Sequence, residues 1–131
     1  MDFHNHERAV EIPMDAAVHQ GALGVPPGAK GLVLFAHGSG SGRLSPRNNY
    51  VARVLREHGV GTLLFDLLTE TEDRVYDNRF DIDLLTHRLL LATQWAGQQA
   101  ARALSLGYFG ASTGAAAALR AAAAVGPELG A

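Results

Sequence analysis

A serine between two glycines is the clearest candidate for chemistry in this sequence. Ser112 is the centre of Gly110-Ala111-Ser112-Thr113-Gly114, a G-x-S-x-G pattern between an apolar run and an alanine-rich run. In a nucleophile elbow the serine occupies a strained strand-to-helix turn, and flanking glycines allow the close approach of the chain to itself. The backbone N–H of Thr113 would then help to stabilise an oxyanion. A plainer interpretation, in which Ser112 only caps the helix, also fits the pattern.

A second glycine-rich stretch begins at His37 and follows another apolar run. Its sequence is His37-Gly38-Ser39-Gly40-Ser41-Gly42. Gly38 and Gly40 would let this loop approach a substrate oxygen, and the backbone N–H of Ser39 is the candidate for a second oxyanion donor. His37 is an accessory candidate, either as a residue that shapes the loop or as a base.

The same stretch partly matches a dinucleotide-binding fingerprint. Gly38-x-Gly40 lacks the third glycine, although Asp66 ends the next apolar run, where an acid that binds ribose would stand. The next helix is predicted to begin near Pro46, after the glycines, so its N-terminus would miss a pyrophosphate. Nucleotide binding therefore stays an alternative, whereas the G-x-x-x-x-G-K-[ST] motif of a P-loop is absent from the sequence.

The elements that would carry these residues alternate between strand and helix. Apolar runs predict strands at 10–13, 17–25, 31–36, 60–68 and 104–109, the first two forming a hairpin through a turn at Met14-Asp15. Periodic apolar residues predict helices at 48–58, 81–101 and 112–124, with a polar loop at 69–79. Strand and helix in alternation imply an α/β fold with right-handed crossovers and a mostly parallel sheet.

Composition excludes several classes of function. The 131 residues suffice for one domain, and a net charge of −2 offers no basic surface for nucleic acid. The sequence holds no cysteine and no apolar run long enough to cross a membrane, so we expect neither a thiolate metal site nor a membrane span. We expect no cofactor and no metal, and a cytoplasmic location.

Two longer stretches carry a resemblance to a known family. These are GLVLFAHGSGSGRLSPRNNYVARVLREHGVGTLLFDLLT and GYFGASTGAAAAL. They resemble the dienelactone hydrolase-like branch of the α/β-hydrolases, most of all hydrolase domains fused to phosphoribosyltransferases. The resemblance covers about residues 10–124. It implies an eight-stranded sheet with strand order 1-2-4-3-5-6-7-8, of which residues 1–131 would hold strands 1–5 in a single incomplete domain.

The resemblance implies hydrolysis of esters or lactones, with a serine or cysteine nucleophile. Ser112 matches the nucleophile, and the N–H groups of Ser39 and Thr113 match the oxyanion donors. Dienelactone hydrolases proper usually have cysteine where Ser112 stands. The triad's acid and histidine should follow the nucleophile, but Glu128 is the only later acid and no histidine follows.

None of the six histidines is an obvious substitute base. Apart from His37, whose position suits a residue that shapes the loop, each has a predicted position that argues against that role: an N-terminal tail, an edge strand, a loop on the opposite side of the sheet, or a solvated helix face. In that order these are His4 and His6, His19, His58 and His87. The base would therefore come from a segment outside this sequence or from a partner.

An incomplete sheet would leave the strand from Leu104 to Phe109 as an apolar edge. Such an edge invites pairing with another chain, so we expect a homo-oligomer formed through it. Three functions remain open at this point: a serine hydrolase of small esters or lactones, a non-catalytic fragment or interaction module of the same fold, and a nucleotide-binding domain.

Overall fold

A five-stranded sheet organises the chain in the computed structural model, which describes residues 7–37, 42–99, 104–111 and 113–125. The strands are β1 (Arg8–Met14), β2 (Ala17–Gly24), β3 (Gly31–Ala36), β4 (Gly61–Phe65) and β5 (Ser105–Gly110). The helices are α1 (Pro46–Glu57), α2 (Glu70–Asp73), α3 (Ile82–Gln98) and α4 (Thr113–Val125), and a 3₁₀ turn spans Tyr76–Phe80.

The strand order in the sheet is β1-β2-β4-β3-β5. The predicted α/β class and this order are both confirmed, and so is a mostly parallel sheet with an antiparallel hairpin at its edge. β3 pairs in parallel with β4 and β5, whereas β2 pairs antiparallel with both β1 and β4. The sheet is mixed because β2, which joins the hairpin to the edge of β4, runs opposite to the other strands.

Helices cover both faces of the central strands. Leu32, Leu34 and Leu63 pack into a core with α3 and α4, whereas Phe35 and Leu64 pack against α1 on the other face. All five residues of β4 are buried. Burial on both faces explains why β3 and β4 appear in the sequence as unbroken apolar runs.

Helix α1 begins two residues earlier than its apolar periodicity indicates. The Ser45 hydroxyl accepts a hydrogen bond from the Asn48 N–H, and Pro46 occupies the first turn, where its missing N–H costs nothing. At the other end Gly59 has φ +83°, the left-handed conformation that follows many helices. This end brings the chain back into β4.

The segment predicted as a loop at 69–79 is instead largely helical. Thr69 and Glu72 form a reciprocal capping box, in which each side chain binds the other residue's backbone N–H, and this starts α2. The 3₁₀ turn then leads to Asp81, whose carboxylate caps α3 through the Leu84 N–H at 3.0 Å.

No helix within the four described ranges is both long and apolar enough to cross a bilayer.

Candidate active site

The turn from β5 into α4 is very tight. β5 ends at Gly110 and α4 begins at Thr113, so only two residues separate strand from helix. Ser112, the predicted nucleophile, lies between them and outside the described residues, as do Ser39, Gly38 and Gly40. The described site residues from the sequence are Gly110, Thr113, Gly114 and His37.

The first glycine of the pentapeptide is required by the turn itself. A Cβ at Gly110 would lie 2.7 Å from the Ala115 Cα and 2.9 Å from the Gly114 carbonyl oxygen, both of them backbone atoms. Contacts that short do not occur in relaxed structures, so only glycine fits without moving the start of α4 away from β5.

The second glycine allows α4 to rest on the end of β3. A Cβ at Gly114 would overlap the carbonyl oxygens of Ala36 and His37 and would lie 2.6 Å from the Ala36 carbonyl carbon. The Ala111 N–H also donates to the Ala36 carbonyl at 3.2 Å. The strand-to-helix turn is thus fixed against the residues at which the His37 stretch begins.

His37 is buried at this junction. Its Nε2 accepts a hydrogen bond from the Leu67 N–H at 2.9 Å. A neutral imidazole has one acceptor nitrogen, and here that nitrogen is used by the backbone. This geometry favours a structural role for His37, in which it shapes the chain after β3, over a role as general base.

Asp66 ends β4 and is paired with Arg43. One carboxylate oxygen accepts the Arg43 backbone N–H at 2.8 Å, and the other accepts its guanidinium at 2.6 Å. Both oxygens are engaged by this arginine, so the geometry does not favour Asp66 as a ribose ligand. A Cβ at Gly42 would lie 2.8 Å from the same carboxylate, so a larger residue there would require the Asp66 side chain to shift.

A cavity of about 290 Å³ opens where β3 and β4 end. His37 and Gly42, which flank residues 38–41, line it together with Arg43 and Asp66. Leu68 and Thr69 extend the wall towards α2. In open α/β sheets, ligands bind outside the carboxyl ends of the strands, and this cavity lies there.

The other described histidines form hydrogen bonds away from the turn. His58 caps α1 near the amino end of β4, with Nδ1 2.8 Å from the Val54 carbonyl oxygen. His87 is exposed and lies 2.9 Å from the Asp15 carboxylate. His4 and His6 lie outside the described residues.

The sequence predicts an edge strand for His19, and this prediction is wrong. His19 belongs to β2, which lies between β1 and β4, and it is buried. Its Nδ1 donates to the Asp66 carbonyl at 2.7 Å, and its Nε2 lies 3.2 Å from the Arg88 guanidinium. Both ring nitrogens therefore serve the structure.

Arg88 of α3 is the centre of an ion-pair network that sequence reasoning did not find. Its buried guanidinium forms a short, bidentate pair with Glu72 and donates to Asp15 at 2.8 Å. The hydrogen bonds from Arg88, with its positive charge and the capping bond of Thr69, lower the pKa of Glu72 to about 2. The network ties α2, which follows Thr69 of the cavity wall, to α3 and the β1–β2 turn.

Among the residues that the structure describes, no three His, Asp or Glu side chains come together as a metal site would require.

Solved structures of other proteins are similar to this chain. The chain is 51% identical to dienelactone hydrolase from Anabaena variabilis, with a TM-score of 0.85 over 91% of this chain and 57% of that one. This chain has the α/β-hydrolase fold of the dienelactone hydrolase type. The fold also matches an esterase of Pyrococcus furiosus, with 22% identity and a TM-score of 0.75 over 95% of this chain and 47% of that one.

Curated relatives of this chain occur in Mycobacterium tuberculosis. Two proteins from different strains are each 59% identical to it over 117 residues, and both are provisionally named phosphoribosyl transferases. The match covers 88% of this chain, which spans only 26% of the length of either relative. No family model matches the chain.

Proposed function

We propose that this chain provides the nucleophile half of a serine hydrolase that acts on small carboxylic esters or lactones. The observation that carries the proposal is the turn between β5 and α4, where Gly110 and Gly114 both stand where backbone atoms leave no space for a Cβ. Glycines so constrained on either side of a serine are what a nucleophile elbow requires. Likeness to a dienelactone hydrolase at 51% identity supports the same reaction class.

In the proposed mechanism the Ser112 oxygen attacks the carbonyl carbon of the substrate, and its proton passes to a base. The oxyanion that forms is held by the backbone N–H groups of Ser39 and Thr113. Collapse of this intermediate breaks the bond to the leaving alcohol, which takes the proton. Water then attacks the acyl-enzyme, again with the base accepting a proton, and releases the carboxylic acid while Ser112 is restored.

The base and its acid are proposed to come from outside these 131 residues. The four described histidines form the hydrogen bonds given above, and three of them have at least one ring nitrogen bound to the backbone. An elbow serine without a base is a weak nucleophile at neutral pH. In this proposal a further segment or a partner subunit completes the site.

Part of the substrate is proposed to occupy the cavity beside His37. Its volume of about 290 Å³ is at the small end for ligand pockets, which suits a small ester or lactone. The transferase name of the mycobacterial relatives is not carried over, because this chain spans only a quarter of their length and has a hydrolase fold.

Self-association through β5 is the proposed quaternary arrangement. Within the described residues β5 pairs only with β3, so its other edge is open. The N–H groups of Ser105 and Ala111 point towards β3, so by alternation those of Leu106 and Tyr108 point to the open edge. An edge with unpaired donors and an apolar face is suited to pairing with a second copy.

Ester turnover tests the proposed reaction. When the segment or partner that supplies the base is present, hydrolysis of p-nitrophenyl acetate should be detectable, and it should be lost in Ser112→Ala. Ser105→Ala is the matched control, because Ser105 is an exposed serine at the opposite end of β5. Turnover that survives in Ser112→Ala would refute the assignment of the nucleophile.

A further inference from the structure

Residues 38–41 are flanked by two contacts to the same place, the carboxyl end of β4. On one side the Leu67 N–H donates to His37, and on the other the Arg43 N–H donates to Asp66. Asp66 and Leu67 are consecutive, so two adjacent residues hold the chain just before and just after this segment.

Of these two contacts, the one between Arg43 and Asp66 is the stronger. Asp66 accepts both the backbone N–H and the guanidinium of Arg43, and hydrogen bonds to a charged group are about twice as strong as neutral ones. The Arg43 carbonyl in turn accepts a hydrogen bond from the Asn49 side chain at 2.8 Å. Gly42 leaves just enough room for the carboxylate to approach.

An ordinary surface ion pair would not explain this arrangement. The pair is partly exposed, with 32% of the Arg43 side chain and 26% of the Asp66 side chain accessible, and such pairs contribute little by themselves. The backbone N–H contact is different, because it fixes the path of the main chain at Arg43 rather than the position of a long side chain.

We propose that Asp66 is a positioning residue that fixes the main chain at Gly42 and Arg43, and with it the exit of the segment that carries Ser39. This inference rests on the proposed function, in which the Ser39 N–H holds the oxyanion. Such a donor acts only within about 2.7–3.1 Å of the developing charge, so a loosened main chain would lose much of its effect. Asp66 itself touches no substrate in this account.

Amide hydrogen exchange tests the anchor without any need for activity. Asp66→Ala should speed exchange of the Arg43 amide about tenfold or more, because a hydrogen bond to a charged acceptor is lost. Asp66→Asn keeps an oxygen that can accept this N–H, and Arg43→Ala keeps the N–H itself, so both should change the rate by less than about threefold. Equal exchange in Asp66→Ala and the unmodified protein would overturn the proposal.

The rate at which a fluorophosphonate labels Ser112 tests the link to the reaction. Asp66→Ala should slow labelling about tenfold, and Asp66→Asn should restore most of the rate. Asp83→Asn is the matched control, since Asp83 is an exposed aspartate that also pairs with an arginine, Arg120, but does not line this cavity. Labelling that is unchanged in Asp66→Ala, despite faster amide exchange, would refute the positioning role.

Failure of the proposed function would look different from failure of this inference. An unmodified protein that is never labelled would count against the hydrolase, and the exchange rate of the Arg43 amide would still decide whether Asp66 anchors the chain.

Discussion

Replacement of Gly114 by alanine should strongly destabilise the fold. The new methyl group would overlap two backbone carbonyl oxygens at the end of β3, and neither can rotate away as a side chain would. Overpacking of a core costs about 1–3 kcal/mol, and a clash with backbone belongs at the upper end, about 3 kcal/mol. With a urea m-value of about 1–3 kcal/mol/M, the midpoint of unfolding should fall by about 1–3 M.

Gly97→Ala is a matched control, for which we expect a change in stability of the opposite sign. Gly97 lies near the end of α3, and a Cβ there would meet no atom within 4 Å. Gly97→Ala should therefore raise stability by up to about 1 kcal/mol, through helix propensity alone. Urea unfolding followed by circular dichroism measures both variants. A Gly114→Ala protein as stable as the unmodified one would refute the packing of α4 on β3.

Two further predictions concern the Glu72–Arg88 pair and the β5 edge. Arg88 holds the pKa of folded Glu72 at about 2, below its ordinary value of 4.5, so this pair's stabilisation is fully present above pH 4.5 and is lost as the pH falls towards 2. The free energy of unfolding, measured with urea from pH 6 to 2, should fall more steeply for the unmodified protein than for Glu72→Gln, by about 3 kcal/mol in total. Parallel curves would contradict the assignment. Leu106→Pro removes an N–H from the open edge of β5 without removing one from the β3 pairing, so light scattering should show the variant as a monomer and the unmodified protein as a dimer. Dimers in both, with Leu106→Pro still folded by circular dichroism, would exclude the β5 interface.

Much of the fold is predictable from short-range patterns. The buried runs of β3 and β4 and the apolar periodicity of α3 indicate their elements directly, because burial on two faces or one leaves a distinct spacing. The resemblance to α/β-hydrolases adds the strand order. Alternation of strand and helix predicted the parallel pairing of β3 with its neighbours, but it carries no information on how the hairpin would join β4.

The helical turn after β4 does have a signal in the sequence. Thr69-Glu70-Thr71-Glu72 is a capping-box sequence, but the high charge of the segment favoured a loop. The composition of such a segment predicts that it is exposed, but it says little about the conformation of its backbone.

The contacts that shape the candidate site could not be predicted in the same way. Arg43 and Asp66 are 23 residues apart, and Arg88 and Asp15 are 73 residues apart. No local pattern relates residues at such separations, so these pairs become visible only in three dimensions. The glycines of the elbow were predictable because the turn that requires them is local.

Intact mass spectrometry after exposure to a fluorophosphonate tests the central claim most directly. With the segment or partner that supplies the base present, the account predicts a single added phosphonyl group on the unmodified protein, none on Ser112→Ala, and an unchanged adduct on Ser105→Ala. That result would mean that Ser112 is activated and that a base reaches it. No adduct on the unmodified protein, or an adduct that persists in Ser112→Ala, would contradict the proposal that this hydrolase fold carries its nucleophile at Ser112.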